Sequence, residues 1–355
     1  MDIDALSPGF KVEEFRIVRK LGAGGMSVVY LAEDLFLGRS VALKLMRVPE
    51  ECSTEESRNR LLLRFEREAH VLAVLEHPSI LPVYRRGVDS GTGCPFYAMK
   101  AILLSETEMR NLCENVFHSP LPRQWGRWAE APQSLTLSVL LEGGKTLPQE
   151  MVARMGAELA EAIACAHRSN PPVVHRDIKP GNILFDVSGR ALLCDFGIAG
   201  RAHTEEEGRS LDTFDANVTS TSRRGFIGTA DYAAPEQRRA APAIPAMDYY
   251  SLAVVLYEAL TARLPRSLEM PSTFNPKHIS RRWDGLLGKM LIANPENRLT
   301  NPEEILGELR SIAYPKRLQL LQGGLAILHV IGAICFLLGM ILLFFHRKGF
   351  FLEQP

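Results

Sequence analysis

The chain has 355 residues, too long for one small core and long enough for a two-part domain with an appendage. Its 41 basic and 41 acidic side chains cancel, which leaves no global positive field for nucleic acid and no acidic excess of the disordered kind. The six cysteines (Cys52, Cys94, Cys113, Cys165, Cys194 and Cys335) form no CxxC pair and keep no regular spacing, so they read as reduced thiols rather than as a disulfide framework or zinc site.

Met1 to Phe10 lacks the basic-then-apolar pattern of a secretory signal, so the bulk of the chain is expected in the cytoplasm. From Phe15 to Val48, FRIVRKL, SVVYLAED and RSVALKLM are rich in β-branched residues and broken by glycine, which predicts three antiparallel strands. Glu55 to Glu76 places Leu61, Leu62, Phe65, Ala69 and Leu72 at helical spacing, and His77-Pro78 ends that helix. Short strands are expected around Ile80–Tyr84 and Phe96–Ile102. Leu103 to Gln133 carries Trp125, Trp128 and three prolines with no clear period, and reads as an irregular insertion between two halves.

After Pro148 the character is helical. MVARMGAELAEAIACAHRS is an amphipathic helix, ILFD and ALLCDF are a pair of short strands, and a polar stretch from Arg201 to Arg224 precedes an apolar helix opened by Asp248. A β-rich small lobe followed by a helical large lobe is therefore predicted, an α+β fold. Gly323 to Phe345 is 23 residues without a formal charge. As a helix it reaches roughly 34 Å, enough to cross a bilayer's hydrocarbon core. The expected layout is an extension at 1–14, the two-lobed domain at 15–312 (small lobe 15–99, large lobe 103–312, insertion about 103–133), a linker at 313–322, a span at 323–345 and a tail at 346–355.

Three motifs carry chemistry. Leu21, Gly22, Ala23, Gly24, Gly25, Met26, Ser27, Val28 and Val29 lie between two strands, where glycines let backbone N–H groups approach phosphates. The following strand, Val41-Ala42-Leu43-Lys44, buries a lysine among apolar residues, which asks for an anionic partner; Glu68 is the candidate. His175-Arg176-Asp177-Ile178-Lys179-Pro180-Gly181-Asn182 then packs carboxylate, cation and amide into one loop, with Asp195-Phe196-Gly197 thirteen residues beyond Asn182. Phosphoryl transfer needs this kit: a base at the hydroxyl, ligands for magnesium and cations on the moving phosphate.

With these motifs in this order, the chain from about Phe15 to Ile312 resembles the eukaryotic-type (Hanks-type) bacterial serine/threonine protein kinases, specifically their membrane-anchored branch. Gly228 to Glu236, reading GTADYAAPE, is similar to that family's substrate-docking segment, and Arg298 is the expected partner of Glu236. The resemblance implies a bilobal kinase fold and these roles. Asp177 would accept or orient the substrate hydroxyl proton and Lys179 would stabilise the transferring phosphoryl. Asn182 and Asp195 would hold Mg2+, with Mn2+ as an alternative ion. Lys44, paired with Glu68, would anchor the ATP α- and β-phosphates. Val29, Ala42 and Leu184 would sandwich the adenine, backbone near Lys100 to Ile102 would bond its edge, and Met99 would be the gatekeeper. Lys179, with Thr229 nearby, is the serine/threonine form.

The 40 residues between Asp195 and Glu236 make a long activation segment with Thr219, Ser220, Thr221 and Ser222 beside Arg223-Arg224. Arg176 ahead of Asp177 is the family's sign of control by phosphorylation there, so autophosphorylation at Thr219 to Ser222 is expected. The expected partners are ATP, protein substrates and the lipid bilayer through 323–345, with a homodimer in view and no nucleic acid; the expected place is the cytoplasmic membrane, single-pass, with the catalytic domain inside. Two other readings stand beside this one. A membrane-tethered pseudokinase scaffold would normally lack Lys44, Asp177 or Asp195, and a small-molecule phosphotransferase of this fold would lack Ala234-Pro235-Glu236.

Overall fold

The computed structural model describes residues 2–24, 27–47, 75–119, 131–196, 231–265, 269–275 and 277–314, with 331–332, 334, 336–338 and 340 near the C-terminus. Of the helix expected over Glu55–Glu76, Leu75 and Glu76 are not helical, and residues 55–74, Glu68 among them, lie outside the described residues. So do Gly25, Met26, Thr219, Ser220, Thr221, Ser222, Thr229 and most of 323–345.

The small lobe is a six-stranded antiparallel sheet in the order β1-β2-β3-β4-β6-β5. Its strands are β1 Lys11–Val12, β2 Phe15–Ala23, β3 Ser27–Asp34, β4 Arg39–Met46, β5 Val83–Val88 and β6 Pro95–Lys100. Alternation sets its faces: along β3, Val28, Tyr30 and Ala32 point inward, and Val41, Leu43 and Leu45 of β4 meet them. Phe15 and Phe96 close that core edge to face at 5.7 Å. The three strands predicted from Phe15 to Val48 are present. The predicted Ile80–Tyr84 strand begins later, at Val83, because Ile80 instead bridges Leu193 of the large lobe.

The large lobe is built on two helices, Gln149–His167 and Ala246–Thr261. Both bury most of their residues, and Gly156 lets them approach: a Cβ there would stand 3.0 Å from Leu256. Helices Arg282–Met290 and Pro302–Ala313 complete the core. The latter starts where Asn301 accepts from the N–H groups of Glu303 and Glu304, with Pro302 in its first turn. A three-stranded sheet, β7 Leu135–Thr136, β8 Ile183–Phe185 and β9 Ala191–Leu193, lies under the cleft.

The insertion corrects the sequence reading. Its first part is not irregular. Leu104 and Gln133 pair backbone to backbone at 2.8 and 3.1 Å and pinch the segment at its base. Ser105 and Glu108 form a capping box that starts a helix at Glu106–Asn111, which runs on into a π-helical turn at Leu112–Val116. Met109, Leu112, Cys113 and Phe117 are fully buried in the large-lobe core, and Phe117 meets Phe185 of β8 at 4.9 Å. The apolar residues are too few, and the Pro- and Trp-rich stretch behind them too close, for the period to emerge in a longer window.

Candidate active site

The cleft between the lobes holds two chemically different halves. Toward the small lobe is an apolar slot of Ala42, Leu81, Met99, Ile102 and Leu192, bordered by Leu21, Val29 and Leu184. Val29 reaches it because it sits on the other face of β3 from Val28. Val28, expected beside the nucleotide, is instead buried in the small-lobe core; strand alternation turns it away. Ala23, Gly22 and Gly24 lie at the open end of β2 and just past it, and Ser27 starts β3. Chain neighbours aside, no atom of the described residues lies within 4 Å of a Cβ built on Gly22 or Gly24, so packing against those residues does not explain glycine at either position. That free space is where a phosphate chain could approach the backbone.

Toward the large lobe stand the charges. Lys44 projects from β4 and donates to Asp195 Oδ1 at 2.7 Å across the cleft. Burial by itself would raise the Asp195 carboxyl; the charge and hydrogen bond of Lys44 overcome that and hold it below the ordinary carboxylate value. Asp195 has φ of 55° and Arg176 of 64°, left-handed conformations uncommon outside glycine and often found at functional sites.

The loop before β8 presents Asp177, Lys179 and Asn182. Lys179 Nζ is 2.9 Å from Asp177 Oδ2. Asn182 donates through Nδ2 to both the carbonyl and Oδ2 of Asp177, at 2.8 and 2.9 Å. Using the amide nitrogen in this way turns Asn182 Oδ1 to the opposite side, the orientation a cation ligand needs. Asp177 Oδ1 is buried and has no hydrogen-bond partner among the described residues. A buried acceptor without a donor is uncommon in a folded protein.

This loop is held from beneath. Asp248, 1% exposed in the first turn of the Ala246–Thr261 helix, accepts from the N–H groups of His175 and Arg176 at 2.8 Å each and from His167 Nε2 at 2.7 Å. His175 spans the two segments that carry Asp177 and Asp195, with Nδ1 accepting from Asp177 N at 3.2 Å and Nε2 facing the Cys194 carbonyl at 3.1 Å. One neutral tautomer, protonated at Nε2, satisfies both bonds, and complete burial lowers this imidazole's pKa in keeping with that form. Gln237 donates to the Arg176 carbonyl at 2.6 Å, and the expected Glu236–Arg298 pair is present at 2.6 and 3.0 Å.

The structure therefore brings together Lys44, Asp177, Lys179, Asn182 and Asp195, and sets Val29, Ala42, Met99 and Leu184 along the slot. Sequence reading missed His175 as a bridge, Gln237 as a brace, and Leu81 and Leu192 as slot walls. Two signals were there to find them: His175 lies two residues before Asp177, and Gln237 directly follows Ala234-Pro235-Glu236. The slot walls carry no signal beyond ordinary strand hydrophobicity.

A planar apolar slot, an open glycine turn and a paired carboxylate–ammonium cluster suit a nucleotide with its polyphosphate directed at the charges. Comparison with known proteins agrees. Residues 128–308, just over half of the chain, match the family described as protein kinase domain. The chain is 27% identical to serine/threonine-protein kinase PrkC of Bacillus subtilis over 84% of its own length and 40% of that protein. It is 30% identical to serine/threonine-protein kinase PknB of Mycobacterium tuberculosis over 85% of its length and 43% of that protein. It thus spans about two fifths of the curated relatives it matches. The crystal structure of the Mycobacterium tuberculosis PknI kinase domain superposes with a TM-score of 0.56 at 25% identity, covering 87% of this chain and all of that one. Fold, site and family match converge: the chain belongs to the protein kinase domain family.

Proposed function

We propose that this chain is a serine/threonine protein kinase that moves the γ-phosphoryl group of ATP to protein hydroxyls. The observation that carries the reading is the Asp177 carboxylate, whose Oδ2 is held by Lys179 and Asn182 while Oδ1 has no donor among the described residues, together with the Lys44–Asp195 pair across the cleft. In this role Asp177 orients the incoming hydroxyl and accepts its proton, while Lys179 offers positive charge to the phosphoryl in flight. Lys44 holds the α- and β-phosphates, and the apolar slot takes the adenine. A divalent cation, Mg2+ or Mn2+, would be held by Asn182 and Asp195 and would neutralise charge on the phosphates. The names of the curated relatives and the lysine at position 179 support serine and threonine over tyrosine.

The test uses the full chain with labelled ATP, magnesium and a generic basic protein, against Asp177→Asn. Phosphate on serine or threonine that depends on Asp177 is the expected result. Nucleotide binding without transfer by the wild-type chain would turn the reading toward a pseudokinase.

Three finer parts belong to the same reading. Arg176 stands next to Asp177, which supports control by phosphate added at Thr219 to Ser222; mass spectrometry after incubation with ATP should find it there. The described residues near the C-terminus are helical, and Ile331, Ile334, Phe336, Leu337, Leu338 and Met340 are all more than half exposed. A helix with that much bare apolar surface is at home in lipid, which supports a membrane anchor at 323–345 with the kinase domain in the cytoplasm. Among the described residues themselves no helix is long and apolar enough to cross a membrane. The seven-residue spacing of Gly332 and Gly339 in the sequence supports a homodimer as part of the same reading.

A further inference from the structure

Residues 2–12 contribute no part of the phosphoryl-transfer kit, yet they fold onto the strands that flank the glycine turn. Ile3 is 7% exposed and packs into the small-lobe core. Tyr30 of β3 donates its hydroxyl to the Ile3 carbonyl at 2.8 Å and accepts from the Leu6 N–H at 3.2 Å. Between those two anchors stands Asp4.

The Asp4 carboxylate grips Arg47, the residue just after β4. Arg47 Nη2 lies 2.7 and 2.8 Å from its two oxygens, and Nε lies 3.1 Å from Oδ2. Lys20 of β2 joins them, with Nζ 3.1 Å from the Asp4 carbonyl and 3.2 Å from Oδ1. The other arm of the same guanidinium points at the glycine turn. Its Nη1 donates to the carbonyl of Gly24 and, at 3.4 Å, to that of Ser27. A bond from Gly24 N to Ser27 O at 2.8 Å closes the turn at that point. One rigid fork thus grips both carbonyls at the base of the turn, and a carboxylate from the N-terminal arm sets the fork's direction.

We propose that Asp4 and Arg47 are positioning residues for the phosphate-binding turn, and that the N-terminal arm is a strut holding that turn at its working height over the ATP phosphates. The inference rests on the kinase reading above. Its physical basis is preorganisation: glycines buy close approach at the expense of order, and a turn already held when ATP arrives loses less freedom on binding. Arginine suits the task because its planar fork meets a carboxylate and two carbonyls at once, which a lysine cannot do. Hydrogen bonds from Arg47 and then Lys20 keep the Asp4 carboxyl below its ordinary range, so the grip is fully charged at neutral pH.

The experiment compares full-length wild type with Asp4→Asn, Arg47→Lys and Asp4→Glu. Read-outs are the dissociation constant for Mg-ATP, steady-state KM and kcat, and melting temperature without nucleotide. Loss of preorganisation predicts ATP binding weaker by about fivefold to tenfold in Asp4→Asn and Arg47→Lys, with KM for ATP rising to match and kcat within about twofold. The KM for protein substrate stays put, and Asp4→Glu recovers most of the affinity. Wild-type ATP affinity in both variants overturns the inference, whether or not their melting temperature falls, because the arm is then a structural strap only. A drop in kcat with unchanged KM overturns it as well. The kinase reading fails differently: wild type then binds ATP without transferring phosphate, and the affinity comparison still decides the role of Asp4 and Arg47. If wild type binds no ATP, both fall together.

Discussion

The charges under the cleft and the charges inside it are built on opposite terms. Arg298 has a fully buried side chain, and all five of its N–H donors are used: two on Glu236, and one each on the carbonyls of Ile292, Ala246 and Ala293. Asp248 is as deeply buried and receives three donors. In the cleft, Asp177 and Lys179 keep more than a quarter of their side chains exposed, Asp195 more than a third, and one Asp177 oxygen has no donor among the described residues. Saturated charges fix the loop from below, so that one oxygen of Asp177 can stay without a donor among the described residues. A reacting carboxylate already satisfied by the protein would have nothing left to offer a hydroxyl.

The largest effect is expected at Asp177. Asp177→Asn keeps size and burial but removes the proton acceptor. Phosphoryl transfer should fall by about 10²–10⁴-fold, with Mg-ATP affinity changed little, as measured by steady-state turnover and direct nucleotide titration. An Asp177→Asn enzyme with near-normal turnover would show that the orphaned oxygen is incidental.

The saturated end should fail through stability instead. Arg298→Met leaves Glu236 buried without its cation, and removing one partner of a buried pair costs about 3–5 kcal/mol, readable by urea unfolding. The pH dependence sharpens this. Burial alone would raise the Glu236 carboxyl, and Arg298 reverses that, holding it below its ordinary value of 4.5. The pair's contribution in wild type is therefore present above about pH 4.5 and is lost only as pH falls through the lower folded-state value. In Arg298→Met the raising influence of burial is opposed only by a backbone N–H and by Arg239, so stability should begin to fall at a higher pH than in wild type.

The two ends also differ in how far the sequence reveals them. Asp177, Lys179, Asn182 and Asp195 are legible because phosphoryl transfer needs those residue types close together, and the loop before β8 keeps them within a few positions. The Glu236–Arg298 pair was within reach through the resemblance, although 62 residues separate the partners. Val28 and Val29 show the limit at one-residue scale: which of two adjacent valines faces the nucleotide depends on strand register, and the notation of a glycine motif does not contain it. The helix at Glu106–Asn111 stayed hidden for another reason. Ser105 and Glu108 spell out its capping box, but the turn that continues it packs Val116 and Phe117 against Gly189 and Phe185, in a hairpin more than 60 positions away. Asp4 was invisible altogether, because its partners Arg47, Lys20 and the turn carbonyls meet it only in the folded sheet.

That hidden helix supplies the next test. Gly189, at the β8–β9 turn, has φ of 75°, and a Cβ there would stand 2.7 Å from Val116 Cγ1. Gly189→Ala meets both a left-handed backbone and a side-chain clash, so a loss of about 1–3 kcal/mol is expected. Val116→Ala in the same chain removes the clash and leaves the backbone strain, so the double variant should be more stable than the two single losses predict when added. Simple additivity in thermal or urea unfolding would mean that the inserted helix does not press on the hairpin carrying Leu184.

The smallest effect is the control that gives the comparison its meaning. Lys289 and Glu304 form an ion pair at 3.0 Å, a distance close to those of Arg298 and Glu236, but their side chains are 61% and 46% exposed. Solvent screens the attraction, and holding two long side chains in one geometry offsets what remains, so Lys289→Ala should change stability by about 0–1 kcal/mol. The distances are similar and the charges identical in sign and size, so burial and the number of satisfied donors are what separate the two pairs. If Lys289→Ala were to destabilise the chain as much as Arg298→Met under the same urea titration, proximity alone would set the strength of these contacts. Burial would then not be what lets Arg298 and Asp248 anchor the loop from beneath.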